Sequence, residues 1–293
     1  MILSMKSVKF LLIALIAIFV AVPTFSNGQI LSKKEDLKDL NSKTLMVVLE
    51  NNSMIDLTLR QAVEKEWTLS KIEFCDLDRF EKIKTDTSYY FLMRVKGIFK
   101  KEREPSIEFL SLLKGGEDAY MGLDKMYDVL TLPFQHIDDP DGYIIPYIDA
   151  YINVIQAHVV RVQKKKIAAT LGISWYSNRL QELRGKRVLV NKLDLNSNVT
   201  VDEANRILGN GGKVVDEDEI YEAIDNKKGE TAYTICIGPE EGDRYGSYCY
   251  KMVISADSHD IYYYRKQKIT SKNSKGFLPE DLKKIAIPNG YEL

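Results

Sequence analysis

The sequence is poor in the residue types that carry most enzymatic and metal-binding chemistry. Among its 293 residues are three histidines, which leave little for histidine-based catalysis or for a zinc site. No catalytic or ligand-binding motif stands out, and no glycine-rich loop opens a helix in the manner of a phosphate site. The sequence therefore predicts no catalytic residue, no metal site and no cofactor.

Cysteine is equally scarce, with Cys75, Cys236 and Cys249 alone. Three cysteines are too few for a small scaffold that is stabilised mainly by disulfides, so an apolar core must stabilise the fold. Cys236 and Cys249 fall on two strands of a predicted hairpin, where a shift of one residue in register would place them on opposite faces. Both a disulfide bridge and two buried free thiols fit this pattern.

Neither charge sign dominates, because 41 lysines and arginines stand against 42 aspartates and glutamates. The basic residues are scattered among acidic ones, so the sequence lacks the basic patch of a nucleic-acid-binding protein. Apolar residues make up 45% of the chain, which is enough for a core of ordinary size.

The first 28 residues have the layout of a secretory signal peptide. Lys6 and Lys9 provide a basic start, the run Phe10 to Val22 is apolar, and small residues follow. We expect cleavage after Gly28 or Ser26 and a periplasmic or secreted mature protein. The alternative is an N-terminal membrane anchor, but the apolar run is short against the roughly 20 residues of a spanning helix. We therefore expect no stable membrane span after signal removal.

One stretch of the chain occurs twice. Residues 37–48 return without a gap as residues 180–191, with Lys43 matching Lys186. A repeat of this kind defines the architecture before any local assignment. The predicted divisions are a signal peptide at 1–28, a first module at 29–137, a helical connector at 138–178 and a second module with a C-terminal helix at 179–293.

Local patterns give both modules the same order of elements, β-α-β-α-β-β-β, and the α+β fold class. In each copy a helix start signal follows the first strand, at Ser53 with Asp56 and at Thr200 with Glu203. In such a signal a hydroxyl and a carboxylate satisfy free N–H groups of the first helical turn.

The connector contains a long helix without a counterpart in either module. From Pro146 to about Leu171 apolar residues recur at helical spacing, over roughly 24 residues. The simpler expectation is that this helix packs across one or both sheets and fixes the relative pose of the modules. The alternative is a partner-binding coiled coil, since the apolar stripe lasts about three heptads.

Three short motifs resemble functional sites but are better explained by local structure. The acidic run 216–219 opens a helix, where carboxylates favour the positive end of the helix dipole. Residues 209–212 follow a helix, as a glycine C-cap does. A phosphate-binding loop would instead precede a helix. Ser258, His259 and Asp260 are adjacent at a hairpin turn and therefore do not converge as a catalytic triad.

A group of tyrosines near the last strands is the candidate binding surface. Alternation along a strand sends neighbouring side chains to opposite faces, so one set belongs to the core and the other covers the far face. An exposed row with basic residues beside it suits a sugar or a peptide, although aromatic residues are also ordinary in strands. The predicted site consists of Tyr245, Tyr248, Tyr250, Tyr262, Tyr264 and Arg265.

The order of elements resembles the repeated α/β module of bacterial envelope proteins. The likeness is carried by the segments Lys43 to Leu49, Lys186 to Leu195, Phe74 to Ile83 and Val215 to Ile224, and by the hairpins that follow. Similar modules are the N-terminal domain of the TolB family and the periplasmic domain of the CsgG family. The chain has no β-propeller as in TolB proteins and no lipoprotein cysteine as in CsgG proteins. The resemblance implies binding and assembly in the envelope and no enzymatic activity.

These observations predict an exported, non-catalytic binding or scaffold protein of the bacterial cell envelope, whose partner is another envelope protein, a peptide or a glycan. The alternative is a hydrolase or a small-ligand binder that uses a cleft between the two modules. Carboxylates that meet only after folding would leave no sequence motif for such an enzyme. A dry, fully packed interface between the modules would count against both cleft functions.

Overall fold

The computed structural model describes residues 37–50, 53–99, 102, 105–137, 142–164, 176–177, 179–239 and 246–290. The predicted signal peptide, Tyr245 and much of the second half of the predicted connector lie outside these residues. Within them the chain forms ten β-strands and six α-helices, which are numbered below in chain order.

The two modules contain five strands and two helices each, in the predicted order. The first comprises β1 (Thr44–Val48), α1 (Met54–Glu66), β2 (Lys71–Cys75), α2 (Leu77–Ile83), β3 (Tyr89–Gly97), β4 (Ile107–Lys114) and β5 (Tyr127–His136). The second comprises β6 (Arg187–Asn191), α4 (Val201–Leu208), β7 (Gly212–Val215), α5 (Glu217–Asp225), β8 (Thr231–Ile237), β9 (Tyr248–Ser255) and β10 (Ile261–Lys268). Helix α3 (Ile148–Lys164) lies between the modules, and α6 (Pro279–Ala286) follows the second one.

Each module builds one mixed five-stranded sheet, and the two sheets have the same topology. The strand order is β2-β1-β3-β4-β5 in the first sheet and β7-β6-β8-β9-β10 in the second. In each sheet the first strand is parallel to both neighbours, and the remaining pairs are antiparallel. The register repeats as well, since Thr44 lies opposite Tyr89 and Arg187 lies opposite Thr231. The predicted α+β fold with two tandem sheet modules is thereby confirmed.

Side-chain hydroxyls begin the equivalent helices α1 and α4. Ser53 Oγ accepts a hydrogen bond from the N–H of Asp56 at 3.2 Å, and Thr200 Oγ1 accepts one from the N–H of Glu203 at 3.2 Å. These bonds satisfy N–H groups that the first helical turn leaves free. The carboxylate of Asp56 also binds the guanidinium of Arg94 at 2.9 Å, which ties the start of α1 to β3.

The three short motifs have the local roles that their patterns predict. The acidic run 216–219 supplies the residue before α5 and the first turn of that helix. Gly209 follows α4 with a positive φ of 51°, which a glycine adopts at little cost. Asp260, after the turn between β9 and β10, is held by Arg161 and by Arg179, the latter at 3.1 Å.

Helices α3 and α6 occupy equivalent places, because α3 packs on α1 and α6 packs on α4. At the first contact Gln156 of α3 accepts the N–H of Thr68 at 2.7 Å and donates to the Glu66 carbonyl at 2.7 Å. The expectation that the connector helix has no counterpart was therefore wrong, since the repeat unit includes one more helix. Helix α6 has eight residues against 17 in α3, and this difference in length conceals the equivalence in the sequence.

A single apolar core contains side chains from both sheets and from α3. Tyr147, just before α3, stacks on Tyr233 of β8 with ring centroids 6.0 Å apart. Tyr151 of α3 packs on Phe134 of β5 at 5.5 Å and donates its hydroxyl to the Pro133 carbonyl at 2.7 Å. The simpler expectation for this helix is confirmed. The described part of its apolar stripe is buried within the chain, which leaves none of it for a coiled coil.

Two smaller cores cover the remaining faces of the sheets. Phe80 of α2 meets Phe91 of β3 edge to face at 5.0 Å and covers the first sheet. Leu208 of α4 and Leu282 of α6 belong to the core that covers the second sheet. Each sheet is therefore apolar on both faces.

The substitution Tyr147→Ala is expected to destabilise both modules together, because this ring lies within the core that they share. We expect the free energy of unfolding to fall by about 3–5 kcal/mol, the range for aromatic-to-alanine changes in cores. The measurement is urea unfolding followed by far-UV circular dichroism and tryptophan fluorescence, which should report one coincident transition. Tyr147→Phe keeps the ring and should cost only about 1 kcal/mol. Two separate transitions, one of them unmoved by Tyr147→Ala, would contradict the shared core.

Candidate functional site

The predicted tyrosine surface is largely buried, so the expectation of an exposed row was wrong. Tyr250, Tyr262 and Tyr264 retain 0%, 5% and 1% of their accessible surface. Tyr250 and Tyr264 face the shared core, and Tyr262 faces the core beneath α4 and α6. Both faces of the strands are covered, which strand alternation alone does not reveal. Tyr245 lies outside the described residues.

The two other members of the predicted site are half-buried and engaged within the chain. Tyr248 packs on Phe99 with ring centroids 5.0 Å apart, and the ammonium of Lys266 lies 4.4 Å from the Tyr248 ring centroid. This is a cation–π contact. Arg265 binds Asp281 at 2.5 Å. The described members of the predicted site therefore form no exposed row of tyrosines on these strands.

A fully buried ion pair fixes α6 on the second sheet. Lys251 of β9 and Asp281 of α6 have no solvent exposure, and their charged atoms are 2.5 Å apart. Lys251 donates to Gln267 at 2.6 Å, and Tyr263 donates to Asp281 at 2.6 Å. Burial raises the pKa of Asp281, but Lys251 and the hydrogen bonds more than offset this, so the pKa lies below its ordinary value. The network satisfies its own charges, which is a structural role.

Three carboxylates meet one arginine near the carboxyl end of β1, and we call this group the acidic cluster. Arg94 of β3 binds Asp56 of α1 and Glu108 of β4, each at 2.9 Å, and Gln135 of β5 donates to Glu108 at 2.7 Å. Glu50, just after β1, lies 3.9 Å from the guanidinium and is 24% exposed. The pKa of Glu50 lies above its ordinary value, mainly because the residue is buried. Arg94 lowers this pKa, whereas Glu108 and Asp56 raise it further. Lys96 adds a second positive charge near Glu50 and also lowers its pKa.

The second sheet carries a different group at the equivalent end. Asp194, just after β6, accepts hydrogen bonds from the Thr234 hydroxyl at 2.6 Å, the Cys236 N–H at 2.9 Å and the Tyr143 hydroxyl at 3.1 Å. Burial raises the pKa of Asp194 to about 6, against the lowering effect of these bonds. Cys236 and Cys249 lie on the same face of the second sheet, as diagonal neighbours across β8 and β9. Both cysteines are buried and free, which is one of the two states that the sequence left open.

These two groups occupy equivalent positions in the duplicated fold. Arg94 and Glu108 stand in the first sheet where Cys236 and Cys249 stand in the second, as the strand registers show. An ion pair across β3 and β4 is thus replaced by a thiol pair across β8 and β9. Sequence reasoning missed the acidic cluster because its members come from distant segments and meet only through strand pairing and helix packing. The repeat is the sequence signal that could have located these positions, if the alignment of the two copies had been extended into the hairpin strands.

Exposed apolar side chains recur just after the carboxyl ends of parallel strands in both modules. Met54 and Leu57 follow β1, Leu77 follows β2 and Leu193 follows β6, with exposures of 66%, 46%, 42% and 65%. These are four of the six exposed large apolar side chains among the described residues. In open α/β sheets this is the end of the strands at which ligands bind. We call these four side chains the carboxyl-end apolar surface.

One half-buried carboxyl group near the module interface has hydroxyl neighbours. Asp128 of β5 accepts a hydrogen bond from the Thr131 hydroxyl at 2.9 Å, and that hydroxyl also contacts Ser111 at 2.8 Å. Asp128 is close enough to Tyr264 of the second sheet to raise its pKa further, beyond the effect of burial. Burial raises the pKa of Asp128 to about 7, and the bond from Thr131 lowers it only in part.

In the part of the chain that the structure describes, no group of histidine, cysteine and carboxylate side chains is placed to hold a metal ion. No helix there combines the length and the apolar character that a membrane span requires.

The chain matches no profile of a known protein family, no curated protein and no solved structure. The resemblance to TolB and CsgG modules therefore stays a prediction from the order of elements.

Removal of the arginine from the acidic cluster should leave buried carboxylates without a cation. We expect Arg94→Met to lower the free energy of unfolding by about 3–5 kcal/mol, as for other broken buried ion pairs. The matched control is Arg79→Met, which removes a half-exposed arginine 3.3 Å from Glu73. It should cost less than about 1 kcal/mol. Urea unfolding at pH 7 measures both variants, and equal costs would contradict the structural role of the cluster.

The substitution Asp128→Asn should change the pH dependence of stability. Because the pKa of Asp128 rises on folding from 3.8 to about 7, its stabilising effect is complete below about pH 4. That effect is lost as the pH rises through 7. We expect Asp128→Asn to gain about 1–3 kcal/mol relative to the native protein between pH 4 and pH 8.

Urea unfolding at pH 4, 6 and 8 measures this difference. Asp124→Asn is the control, because Asp124 is exposed and pairs with Lys125 at 2.9 Å. A difference between Asp128→Asn and the native protein that is the same at all three pH values would contradict the assigned pKa.

Proposed function

We propose that the protein is an exported, non-catalytic binding or scaffold protein of the bacterial cell envelope. In this proposal it binds another envelope protein, a peptide or a glycan through the carboxyl-end apolar surface. The observation that carries the proposal is the exposure of four apolar side chains just after the carboxyl ends of parallel strands in both modules. They are Met54, Leu57, Leu77 and Leu193. Met54, Leu57 and Leu77 belong to the first module and Leu193 to the second, so each module presents exposed apolar side chains at this end of its sheet. Export and envelope location rest on the layout of residues 1–28.

The region between the modules gives less support to the alternative, a hydrolase or small-ligand binder in a cleft. Tyr147, Tyr151 and Tyr233 are fully buried there and belong to the shared core. An enzyme of that kind should concentrate the polar differences between the copies at one common cleft. The differences instead lie within each module, at the acidic cluster and at the pair Cys236 and Cys249.

Acidic side chains beside the apolar surface specify the chemistry of the partner. Asp76 and Asp78 flank Leu77 and are exposed, and the acidic run 216–219 follows β7 at the equivalent end of the second sheet. Glu50 adds a further carboxylate near the start of α1. Charge complementarity favours a partner segment that combines apolar and basic side chains. A protein or a peptide offers both, which places these partners ahead of a glycan.

A photoreactive phenylalanine analogue at position Met54 should capture one recurrent envelope protein in living cells, identified by purification and mass spectrometry. The matched position is Met121, which is 63% exposed against 66% for Met54. Met121 lies between β4 and β5, at the opposite end of the first sheet, because β4 runs antiparallel to β3. The analogue at Met121 should not capture that protein.

The substitution Leu57→Lys should reduce capture from position 54 at least tenfold, because it removes apolar contact and adds a charge of the same sign as the partner. Met121→Lys is its control and should leave capture unchanged. Recovery of uncrosslinked protein alone, or equal capture from positions 54 and 121, would count against this surface as the binding site.

A further inference from the structure

The outer strand β2 leaves one edge of the first sheet open. Among the described strands β2 pairs with β1 alone, and the Cys75 carbonyl accepts the N–H of Leu49 at 2.9 Å, so Cys75 faces β1. In a parallel pair, successive residues direct their N–H and C=O groups to alternate sides of the strand. The N–H and C=O groups of Ile72 and Phe74 therefore point outward, where they have no hydrogen-bond partner in the described part of the chain.

The corresponding edge of the second sheet is closed by a side chain. Val214 of β7 is equivalent to Phe74, as the strand registers show. The N–H of Val214 donates to Oδ1 of Asn205 in α4 at 2.8 Å. This hydrogen bond occupies the group that a further strand would need at that position. The two modules therefore differ at an edge where their backbones are otherwise alike.

The last strands of both sheets carry blocking groups as well. In β5, Pro133 has no N–H, and its carbonyl accepts the Tyr151 hydroxyl at 2.7 Å. Proline protects an edge strand because it cannot donate a hydrogen bond to a further strand. In β10, the Tyr264 carbonyl accepts the Ser177 hydroxyl at 2.7 Å. Within the described residues, β2 is thus the edge strand that keeps its outward groups available for a further strand.

The charges on β2 select the kind of strand that fits this edge. Lys71 and Glu73 lie on one face of β2 with their charged atoms 2.7 Å apart, and the Lys71 side chain is 71% exposed. A second, antiparallel β2 strand centred on Ile72 would place each Lys71 opposite Glu73 of the other copy. Centring on Glu73 would place the two Glu73 side chains opposite each other, and centring on Phe74 would place Glu73 opposite Cys75. Opposite charges stabilise a pair of strands and like charges destabilise it, so β2 is complementary to itself in the first arrangement.

We propose that two copies of the chain associate through their β2 strands, antiparallel about a two-fold axis at Ile72. The two Ile72 residues exchange N–H···O hydrogen bonds across the axis, and two pairs of Lys71 and Glu73 flank them. The contact is reciprocal, because the same surface serves on both copies. The two five-stranded first sheets then form one continuous sheet. Each copy contributes one strand of five residues, so the contact is small and we expect the dimer to depend on concentration.

Sedimentation velocity of the purified protein over a series of concentrations measures this association. We expect a dimer whose population grows as the concentration rises. Lys71→Glu and Glu73→Lys should each raise the dissociation constant about tenfold or more, because each places like charges opposite each other in both pairs. An equimolar mixture of the two variants should associate about as strongly as the native protein. In that mixture one chain carries two acidic side chains at these positions and the other carries two basic ones.

The control is the pair Lys228 and Glu222, whose charged atoms are 2.8 Å apart at exposed positions of the second module. Lys228→Glu and Glu222→Lys should leave the dissociation constant at its native value, both alone and mixed. Far-UV circular dichroism of every variant verifies that it is folded.

A native protein that stays monomeric up to about 0.2 mM, where even weak specific complexes are populated, would overturn the proposal and leave the β2 edge to a strand of a different protein. A dimer that neither β2 variant weakens would overturn it as well. So would weakening in both variants without recovery in their mixture, because the antiparallel arrangement at Ile72 requires that recovery. These measurements use the purified protein alone, so failure of this proposal is separable from failure of partner capture at Met54.

Discussion

The burial of α3 between the two modules is the constraint on which the rest of the structure depends. Ten of its 17 residues are buried, including the polar Gln156 and His158. A helix that is buried on several sides needs neighbours on each of them, and here both modules supply them. Burial, with the charge of Arg161, lowers the pKa of His158 to about 3, so this residue enters the core as a neutral group. Arg161 in turn binds Asp260 of the second module. Separation of the modules would expose all of these groups together.

The duplicated topology is a property of backbone pairing, and the same positions therefore tolerate different chemistry. The first sheet places Arg94 and Glu108 where the second places Cys236 and Cys249. Burial of a charged group destabilises the fold unless the charge is paired. In the first module the buried charges are paired within the acidic cluster, of which Glu50 is a partly exposed member. The second module needs no cation at this position, because thiols are compatible with an apolar core. The equivalent ends of the two sheets thus differ in charge while they share one backbone plan.

The order of elements could be predicted because it depends on local signals, such as the hydroxyl caps and the apolar periods. Which side chains are covered could not be predicted, because the covering residues come from α6, which follows the last strand, and from the first module, which lies far away in the sequence. A bulge between Ile261 and Tyr263 also breaks the alternation, so Tyr262 and Tyr263 enter the same core. The acidic cluster has the same origin, since Asp56 and Arg94 are 38 residues apart and meet only when α1 packs on the first sheet.

If the carboxyl-end apolar surface binds its partner as proposed, the shared core determines how strongly it does so. Four side chains divided between two sheets make small contacts, well below the roughly 800 Å² per partner of a specific interface. One core joins the sheets, so the two ends keep a fixed separation. A partner with two suitably spaced segments then gains from a high effective concentration at the second contact. A duplication with a buried connector helix is therefore better suited to an extended or repeated partner than to a single small ligand.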